Sequence, residues 1–360
     1  MVRFINQAFK GFRYSILPIP GRLIAVVFFV ALFLIPVITN SPYVMLLTTL
    51  AAIYSMFAVS WDMLSGYSGQ VSFGHALFFG GGAYGAALLY QHLGLPPAAT
   101  IPLGAIIGTA LGVATCFPAL RLRAPYISLL TMAFPIIVGE IIRALPIHIA
   151  GGDYGIRELP RLAGSPTGSY YICLVIMTIS VLIMWKLTDA GSKYVRTGLI
   201  FHAIREDEIA ARATGINTIK YKILAFALSG IFASLAGALF AHFRTLASPA
   251  YFSTTTSFLV IIWVVFGGIV SIYGAVVGVY TLYVALDFLR LTPADPYKTL
   301  ILTIVVIVIL LFMPEGIAVW IRDKIERRCP RCKLSNVAWR KECRACGATL
   351  HATHLKPAKS

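Results

Sequence analysis

Long apolar segments separated by short polar intervals run along most of the chain. Most of them reach the roughly 17 to 25 residues that a helix needs to cross a bilayer. Gly80–Gly82 interrupt one segment, which favours a broken or closely packed helix in a bundle interior. The pattern predicts an all-α polytopic membrane protein of about ten transmembrane helices, at residues 23–39, 43–64, 71–90, 98–117, 126–145, 170–186, 223–246, 257–270, 274–289 and 298–318.

The longest polar interval between these segments covers residues 196–222. Its periodicity predicts a short amphipathic helix outside the bilayer, within a cytoplasmic loop at 187–222. Gly215 stands where a left-handed C-cap residue is expected. Such a helix is either a solvated connector or a docking helix that passes force from a soluble partner into the membrane. Its apolar face is Ile200, Ile204 and Ala211, and its charged face is Glu206, Asp207, Glu208 and Arg212.

Composition excludes an ordinary soluble domain. The 360 residues are 58% hydrophobic and only 12% charged, with a formal net charge of +16, which indicates a polytopic membrane protein. Half of that charge, +8, lies in residues 320–360, which hold 11 Lys and Arg against 3 Asp and Glu. A basic excess in this place indicates membrane orientation, and no nucleic acid partner is expected.

The positive-inside rule sets the predicted topology. With a cytoplasmic N-terminus and about ten spans, Arg121, Arg123, the 187–222 loop and the basic tail all fall on the cytoplasmic side. We therefore expect a cytoplasmic leader at 1–22, a transmembrane domain at 23–320 and a cytoplasmic tail at 321–360. No cleavable signal peptide is expected, because the first apolar run is long enough to span the membrane.

Polar residues at membrane depth are candidates for a substrate path, because they are unfavourable there without a role or a partner. For Glu140 the alternative is a structural ion pair with Arg143, three residues further on. For His75 it is a packed, hydrogen-bonded histidine, and for Asp62 it is a side chain that snorkels near an inner helix end. The candidates are Asp62, Gln70, Ser72, His75, Glu140 and Arg143.

Two C-x2-C pairs lie in the basic tail, Cys329 with Cys332 and Cys343 with Cys346. Four thiolates from two such turns make a tetrahedral Zn²⁺ site, with iron as the alternative. Disulfides are disfavoured in a cytoplasmic tail. The pattern predicts a small four-cysteine, zinc-ribbon-like unit that the metal holds together, because so short a segment buries little core.

Four separated motifs resemble the permease subunits of branched-chain amino-acid ABC transporters. They are WDMLSGYSGQVSFGHA at 61–76, RLRAPY at 121–126, AIREDEIAA at 203–211 and MPEG at 313–316. The resemblance implies a core like that of vitamin-B12-type importers and an ATPase contact at the polar loop. The implied coupling residues are Arg205, Glu206, Asp207, Glu208, Ala210, Ala211 and Gly215. One departure is Ile209, which stands where importer loops of this kind carry a glutamate.

The resemblance also implies an assembly in the inner (plasma) membrane. The partners would be a homologous second permease, two ATPase subunits and a periplasmic or extracellular substrate-binding protein. The chain contains no Gly-x4-Gly-Lys-[Ser/Thr] phosphate loop. We therefore expect it to bind no nucleotide and to carry no enzyme active site, with ATP hydrolysis supplied by the partner subunits.

The expected function is import of branched-chain or related amino acids. Three alternatives remain open from the sequence. A urea, amide or small-carboxylate importer would share these motifs. An ion-coupled secondary transporter would use Asp62, His75 or Glu140 as its ion site and need no ATPase. A metal-sensing membrane scaffold rests only on the cysteine tail.

Overall fold

The computed structural model describes residues 20–39, 41–118, 124–189, 196–290, 297–313, 315–329, 335–337, 346 and 349. Its first half holds α1 (Pro20–Ile38), α2 (Pro42–Trp61), α3 (Ala76–Leu93), α4 (Pro97–Cys116), α5 (Ala124–Ala144), the short α6 (Ile147–Ala150) and α7 (Pro166–Thr188). A π-helical turn, Asp62–Tyr67, continues α2 without a gap. The predicted leader at 1–22 lies almost wholly outside the described residues, as do Arg121 and Arg123.

The second half begins with two short helices, α8 (Thr197–Glu206) and α9 (Glu208–Ala213). The helices that follow are α10 (Thr218–Arg244), α11 (Thr254–Gly267), α12 (Ile272–Arg290), α13 (Lys298–Phe312) and α14 (Ile317–Ile325). The strands are short and antiparallel: β1 (Ile156–Arg157) pairs with β2 (Leu246–Ala247), and β3 (Glu326–Arg328) pairs with β4 (Ser335–Val337).

Local sequence signals account for where the helices begin. A proline occupies the first turn of α2, α4 and α7, where its missing N–H removes no helical hydrogen bond. Asn217 caps α10 by accepting from the Lys220 amide at 3.0 Å, and Ser165 caps α7 through the Gly168 amide at 3.0 Å. These caps satisfy backbone donors that a helix start leaves free.

The core lies where α2, α3, α4 and α10 pack together. Most of the apolar window of α2 is buried, as is most of that of α10, whereas α5 is largely exposed. Gly82 lets α3 approach α10, because a Cβ at this position would overlap the backbone of Ser234. Small residues at helix contacts are the usual means of close packing inside a membrane.

Of the two alternatives predicted for the segment with Gly80–Gly82, a broken or a closely packed helix, the structure shows the closely packed one. Helix α3 runs unbroken from Ala76 to Leu93, and its glycines allow close packing. The irregular backbone lies before them, in the π-helical turn and the residues up to Ala76. The predicted final segment at 298–318 is also divided, because α13 ends at Phe312 and α14 starts at Ile317.

The length and apolar composition of its helices indicate that the chain is a multi-pass membrane protein. Five described helices are long and apolar enough to cross a membrane, or up to six if a bent pair counts as one span. The bent pair is α11 with α12, which turn by 111° at their junction. The predicted count of about ten spans is not confirmed by this measure and stays a prediction.

Candidate functional site

Helices α8 and α9 form the polar loop, and their inner faces hold them against the membrane part. Phe201, Ile204 and Ala211 are buried, as the helical pattern predicted for Ile204 and Ala211. The single predicted helix is in fact two. Asp207 separates them, because its carboxylate accepts from the amides of Ile209 at 2.8 Å and Ala210 at 3.0 Å and caps α9. Gly215 ends α9 with φ +87, as predicted.

Glu208 binds residues of its own chain. Its carboxylate accepts from Arg212 Nη2 at 2.6 Å and from Lys222 Nζ at 2.7 Å, and Thr218 Oγ1 lies 3.2 Å away. The Lys222 side chain is only 8% exposed. Burial raises the pKa of Glu208, but Lys222 and Arg212 lower it by more, so the pKa lies below its usual value. Glu208 therefore braces α9 against α10.

The other predicted coupling residues differ in their exposure to solvent. Ala211 is buried, whereas the exposed ones are Arg205, Glu206, Asp207, Ala210 and Gly215. Ile209 was not predicted as a coupling residue, yet its side chain is 81% exposed. The sequence feature that could have indicated this is an isoleucine between Glu208 and Arg212 on a mostly polar helix. We call Arg205, Glu206, Ile209 and Ala210 the coupling surface.

Helix α8 also touches the irregular segment at 62–75. The Tyr67 ring meets the His202 ring edge-on at 5.5 Å between centroids. Gly69, with φ +72, lies so close to Arg205 that a Cβ there would sit 3.2 Å from the Arg205 Cα. Burial, followed by the charge of Arg205, lowers the pKa of His202, which favours the neutral imidazole.

Gln70, Ser72 and His75, three of the six substrate-path candidates, lie in this segment inside the protein. His75 Nε2 lies 2.9 Å from Ser60 Oγ, and its ring stacks on Phe57; His75 Nδ1 is buried without a partner among the described residues. The Gln70 carbonyl accepts from Ser65 Oγ at 3.1 Å. Ser72 Oγ accepts from the Gly74 amide at 3.3 Å. Their role in a substrate path stays a prediction.

The remaining polar candidates are paired. Glu140 and Arg143 form the structural ion pair that was the alternative to a substrate-path role for Glu140. Arg143 Nε also lies 3.4 Å from Asp153 Oδ1. Asp62 is fully buried and accepts two backbone hydrogen bonds, from Val270 and Ser271. The expectation of a snorkelling Asp62 is therefore wrong.

A cavity of about 440 Å³ opens at the end of α10 opposite to the coupling surface. Helices α2, α7 and α10 line it, with Thr49, Ser169 and His242 among its polar residues. The exposed residues Arg161 and Arg244 also line this cavity. This cavity was not predicted from the sequence, because its lining residues come from three separated segments.

The cysteine tail is described only in part. Strands β3 and β4 flank the first C-x2-C pair, and the Sγ atoms of Cys329 and Cys346 lie 3.5 Å apart. Cys332 and Cys343 lie outside the described residues. Among the residues that the structure does describe, no group of three metal-ligating side chains is found, so the predicted Zn²⁺ site is not confirmed.

Comparison with known proteins gives a consistent result. The family model described as "Branched-chain amino acid transport system / permease component" matches residues 43–311. The chain is 29% identical over 324 residues to the high-affinity branched-chain amino acid transport system permease protein LivM of Escherichia coli, covering 81% of this chain and 72% of that protein. LivM of Salmonella typhimurium is 28% identical over 319 residues, with 80% and 72% covered.

The permease protein LivH of Salmonella typhimurium is 26% identical over 290 residues, covering 75% of this chain and 92% of LivH. No solved structure matches significantly. The family match takes in α2 through nearly all of α13, including the coupling surface and the 62–75 segment. The chain therefore belongs to the family of branched-chain amino acid transport system permease components.

Proposed function

We propose that this chain is a permease subunit of an ATP-driven importer that carries branched-chain or related amino acids across the inner membrane. The observation that carries the proposal is the family match over residues 43–311. The relatives LivM and LivH are named as permease proteins of branched-chain amino acid transport. The chain itself supplies the path, and separate subunits supply ATP hydrolysis.

The coupling surface is where the ATPase subunit docks. Ile209 is the apolar anchor, since a protruding side chain of this kind contributes most when a partner pocket desolvates it. Arg205 and Glu206 are exposed beside it and set the register by charge complementarity. The rigid brace at Glu208 and Lys222 lets α9 move together with α10.

The assembly has the composition that the family resemblance implies. A homologous permease completes the path, two ATPase subunits dock at the cytoplasmic side, and a binding protein delivers substrate at the outer side. Both termini and the coupling surface are cytoplasmic, around a vitamin-B12-importer-like core of about ten spans. The cavity beside Arg161 and Arg244 lies at the opposite end of α10, where delivery from a binding protein would occur.

The substrate path passes the polar segment that holds Gln70, Ser72 and His75, with Glu140 nearer to the outer end. Gln70, Ser72 and His75 are buried, and the His75 Nδ1, which has no partner among the described residues, is open to a hydrogen bond with a passing substrate. A path that binds weakly is sufficient here, because the binding protein recognises the zwitterion before delivery.

The tail carries a structural Zn²⁺ site made of Cys329, Cys332, Cys343 and Cys346. Its support is the two C-x2-C pairs and the 3.5 Å between the sulfurs of Cys329 and Cys346. That separation is close to the roughly 3.8 Å edge of a tetrahedron with Zn–S bonds of about 2.3 Å. The metal would hold together a unit too small to bury a core of its own.

Uptake by proteoliposomes tests the transport proposal. The full chain is reconstituted with its partner permease and ATPases, and leucine uptake is measured with binding protein and ATP, with urea and amides as competitors. ATP-dependent leucine uptake supports the proposal. Uptake that a pH gradient drives without ATP overturns it in favour of an ion-coupled transporter, and uptake of urea or amides alone overturns the substrate class.

A charge reversal tests the docking surface within the same assembly. Glu206→Lys should lower recovery of the ATPase with the permease, because Glu206 is exposed on the coupling surface. Glu158→Lys makes the same charge change on the exposed loop at the other end of α10 and serves as the control. Equal ATPase recovery with both variants would count against docking at this surface.

A further inference from the structure

The junction between α11 and α12 is a strained turn. The two helices meet at 111°, and the backbone between them passes through φ +121 at Gly268 and φ +61 at Val270. A β-branched residue rarely adopts a positive φ, so Val270 holds this conformation only because its surroundings impose it. A contact with another part of the protein must therefore hold the backbone of residues 268–270 in this conformation.

The carboxylate of Asp62 is that fixing group. Oδ1 accepts from the Val270 amide at 2.8 Å, and Oδ2 accepts from the Ser271 amide at 3.0 Å. These amides lie at the start of α12, where backbone donors have no partner within the helix and a negative charge is favoured. Gly66 leaves room for the carboxylate, because a Cβ there would overlap Asp62 Oδ1.

The segment that carries Asp62 also carries the contacts to the coupling helices. Asp62 opens the π-helical turn Asp62–Tyr67, and Tyr67 contacts His202 of α8. Gly69 lies against Arg205 at the end of the same helix. A π-helical turn inside a longer helix is a common feature of functional sites. A continuous set of contacts thus leads from α8 through residues 62–69 to the amides of Val270 and Ser271.

We propose that Asp62 is a positioning residue that couples the ATPase-facing helices to the junction between α11 and α12. A displacement of α8 moves the 62–69 segment, and the Asp62 carboxylate passes that movement to the start of α12. The inference rests on the proposed function, since it takes α8 and α9 to be the elements that the ATPase moves. Coupling of this kind needs a demonstrated response at both ends.

Hydrogen–deuterium exchange on the full transporter in lipid tests the proposal. Exchange is followed at residues 197–213 and at residues 268–275, with and without a non-hydrolysable ATP analogue. In the unmodified chain, both segments should respond to the analogue. In Asp62→Asn, an NH2 group replaces one of the two acceptors, so one of the Val270 and Ser271 amides loses its partner and should exchange on the order of tenfold faster. The response at 268–275 should be lost, whereas that at 197–213 remains.

Asp287→Asn is the matched control, because it makes the same change near the other end of α12. There the Asp287 carboxylate accepts from the Tyr43 hydroxyl. This variant should keep the response at 268–275. If Asp62→Asn does not fold, Gly66→Ala carries the test, since it keeps the carboxylate but displaces it from Val270 and Ser271, and the same loss is expected.

The outcomes separate the two claims. A response at 268–275 that persists in the tested variant, or one that Asp287→Asn abolishes equally, overturns the role of Asp62. A missing response at 268–275 in the unmodified chain, with 197–213 responding, also overturns it and leaves the proposed function intact. No response at 197–213 in the unmodified chain contradicts ATPase docking and with it both claims.

Discussion

At the scale of single residues, Glu208 shows how ion pairs within the chain change the role of a charged position. The sequence predicted an ATPase contact for it, from the resemblance and from the acidic face of the helix. The structure places its carboxylate between Arg212 and Lys222. The position of Lys222, 14 residues away, follows from how α9 turns back onto α10, which no local pattern encodes.

Removing the Glu208 charge should destabilise the fold, because Lys222 would be left nearly buried without its partner. We expect Glu208→Gln to lower stability by about 1–3 kcal/mol. Arg212→Gln is the control, since its side chain is 59% exposed and an exposed pair contributes about 1 kcal/mol or less. Thermal unfolding of the detergent-solubilised chain measures both, and equal shifts in Tm would contradict the brace.

The pH dependence of this brace follows from the lowered pKa of Glu208. A carboxyl whose pKa is lower in the folded state stabilises the fold above its unfolded pKa, about 4.3, and loses that stabilisation as the pH falls through the folded value. The difference in Tm between the unmodified chain and Glu208→Gln should therefore be complete at pH 7 and shrink below about pH 4. A Tm difference that grows as the pH falls would contradict a lowered pKa for Glu208.

At the scale of elements, α8 and α9 expose two large apolar side chains, Leu199 at 55% and Ile209 at 81%, and Ile209 is the one on the coupling surface. Ile209→Asp should weaken ATPase binding about tenfold or more, as expected for the anchor of an interface. Ile147→Asp is the control, because Ile147 is 70% exposed at the start of α6 and lies away from the coupling surface. Affinity is measured by titrating the ATPase onto the reconstituted permease. Comparable losses in both variants would remove Ile209 from the interface.

Close packing of α3 against α10 depends on Gly82. Gly82→Ala should lower stability by about 1–3 kcal/mol, because the new methyl would overlap the Ser234 backbone and push the helices apart. Gly164→Ala is the matched control, since nothing lies within 4 Å of a Cβ at that position. The Tm values of the two purified variants test this expectation. A Gly82→Ala variant with the Tm of the unmodified chain would show that α3 and α10 have room between them.

The helices themselves were largely predictable, because apolar length fixes where a membrane helix begins and ends within a few residues. Segment 98–117 became Pro97–Cys116, and 170–186 became Pro166–Thr188. The interruptions were not predictable. Glycines suggested a break where α3 is continuous, whereas the sharp turn at Val270 depends on the Asp62 carboxylate, 208 residues away in the chain. Such long-range contacts decide where backbone can leave the helix.

At the scale of the whole molecule, a family-matched membrane domain is followed by a tail with its own chemistry. The family match ends at residue 311, and all four tail cysteines lie beyond it. Cys116 and Cys173, by contrast, are buried in helices of the membrane domain. The two groups of cysteines therefore provide an internal comparison.

Metal analysis of the purified full chain tests the tail site. About one zinc per chain is expected for a site of four cysteine thiolates, and Cys329→Ser should lower the zinc content because it removes one ligand. Cys173→Ser is the control and should leave the zinc content unchanged. A chain that holds no zinc after purification without chelators, or one that loses it equally in both variants, would contradict the site.

The proposed transport function requires that the coupling surface face the cytoplasm and bind an ATPase there. A single measurement tests this most directly: labelling of Glu206→Cys by a membrane-impermeant maleimide in sealed vesicles of each orientation, with the unmodified chain as background. We predict labelling only from the cytoplasmic side, and protection when the ATPase subunits are bound. Labelling from the outer side would contradict the account.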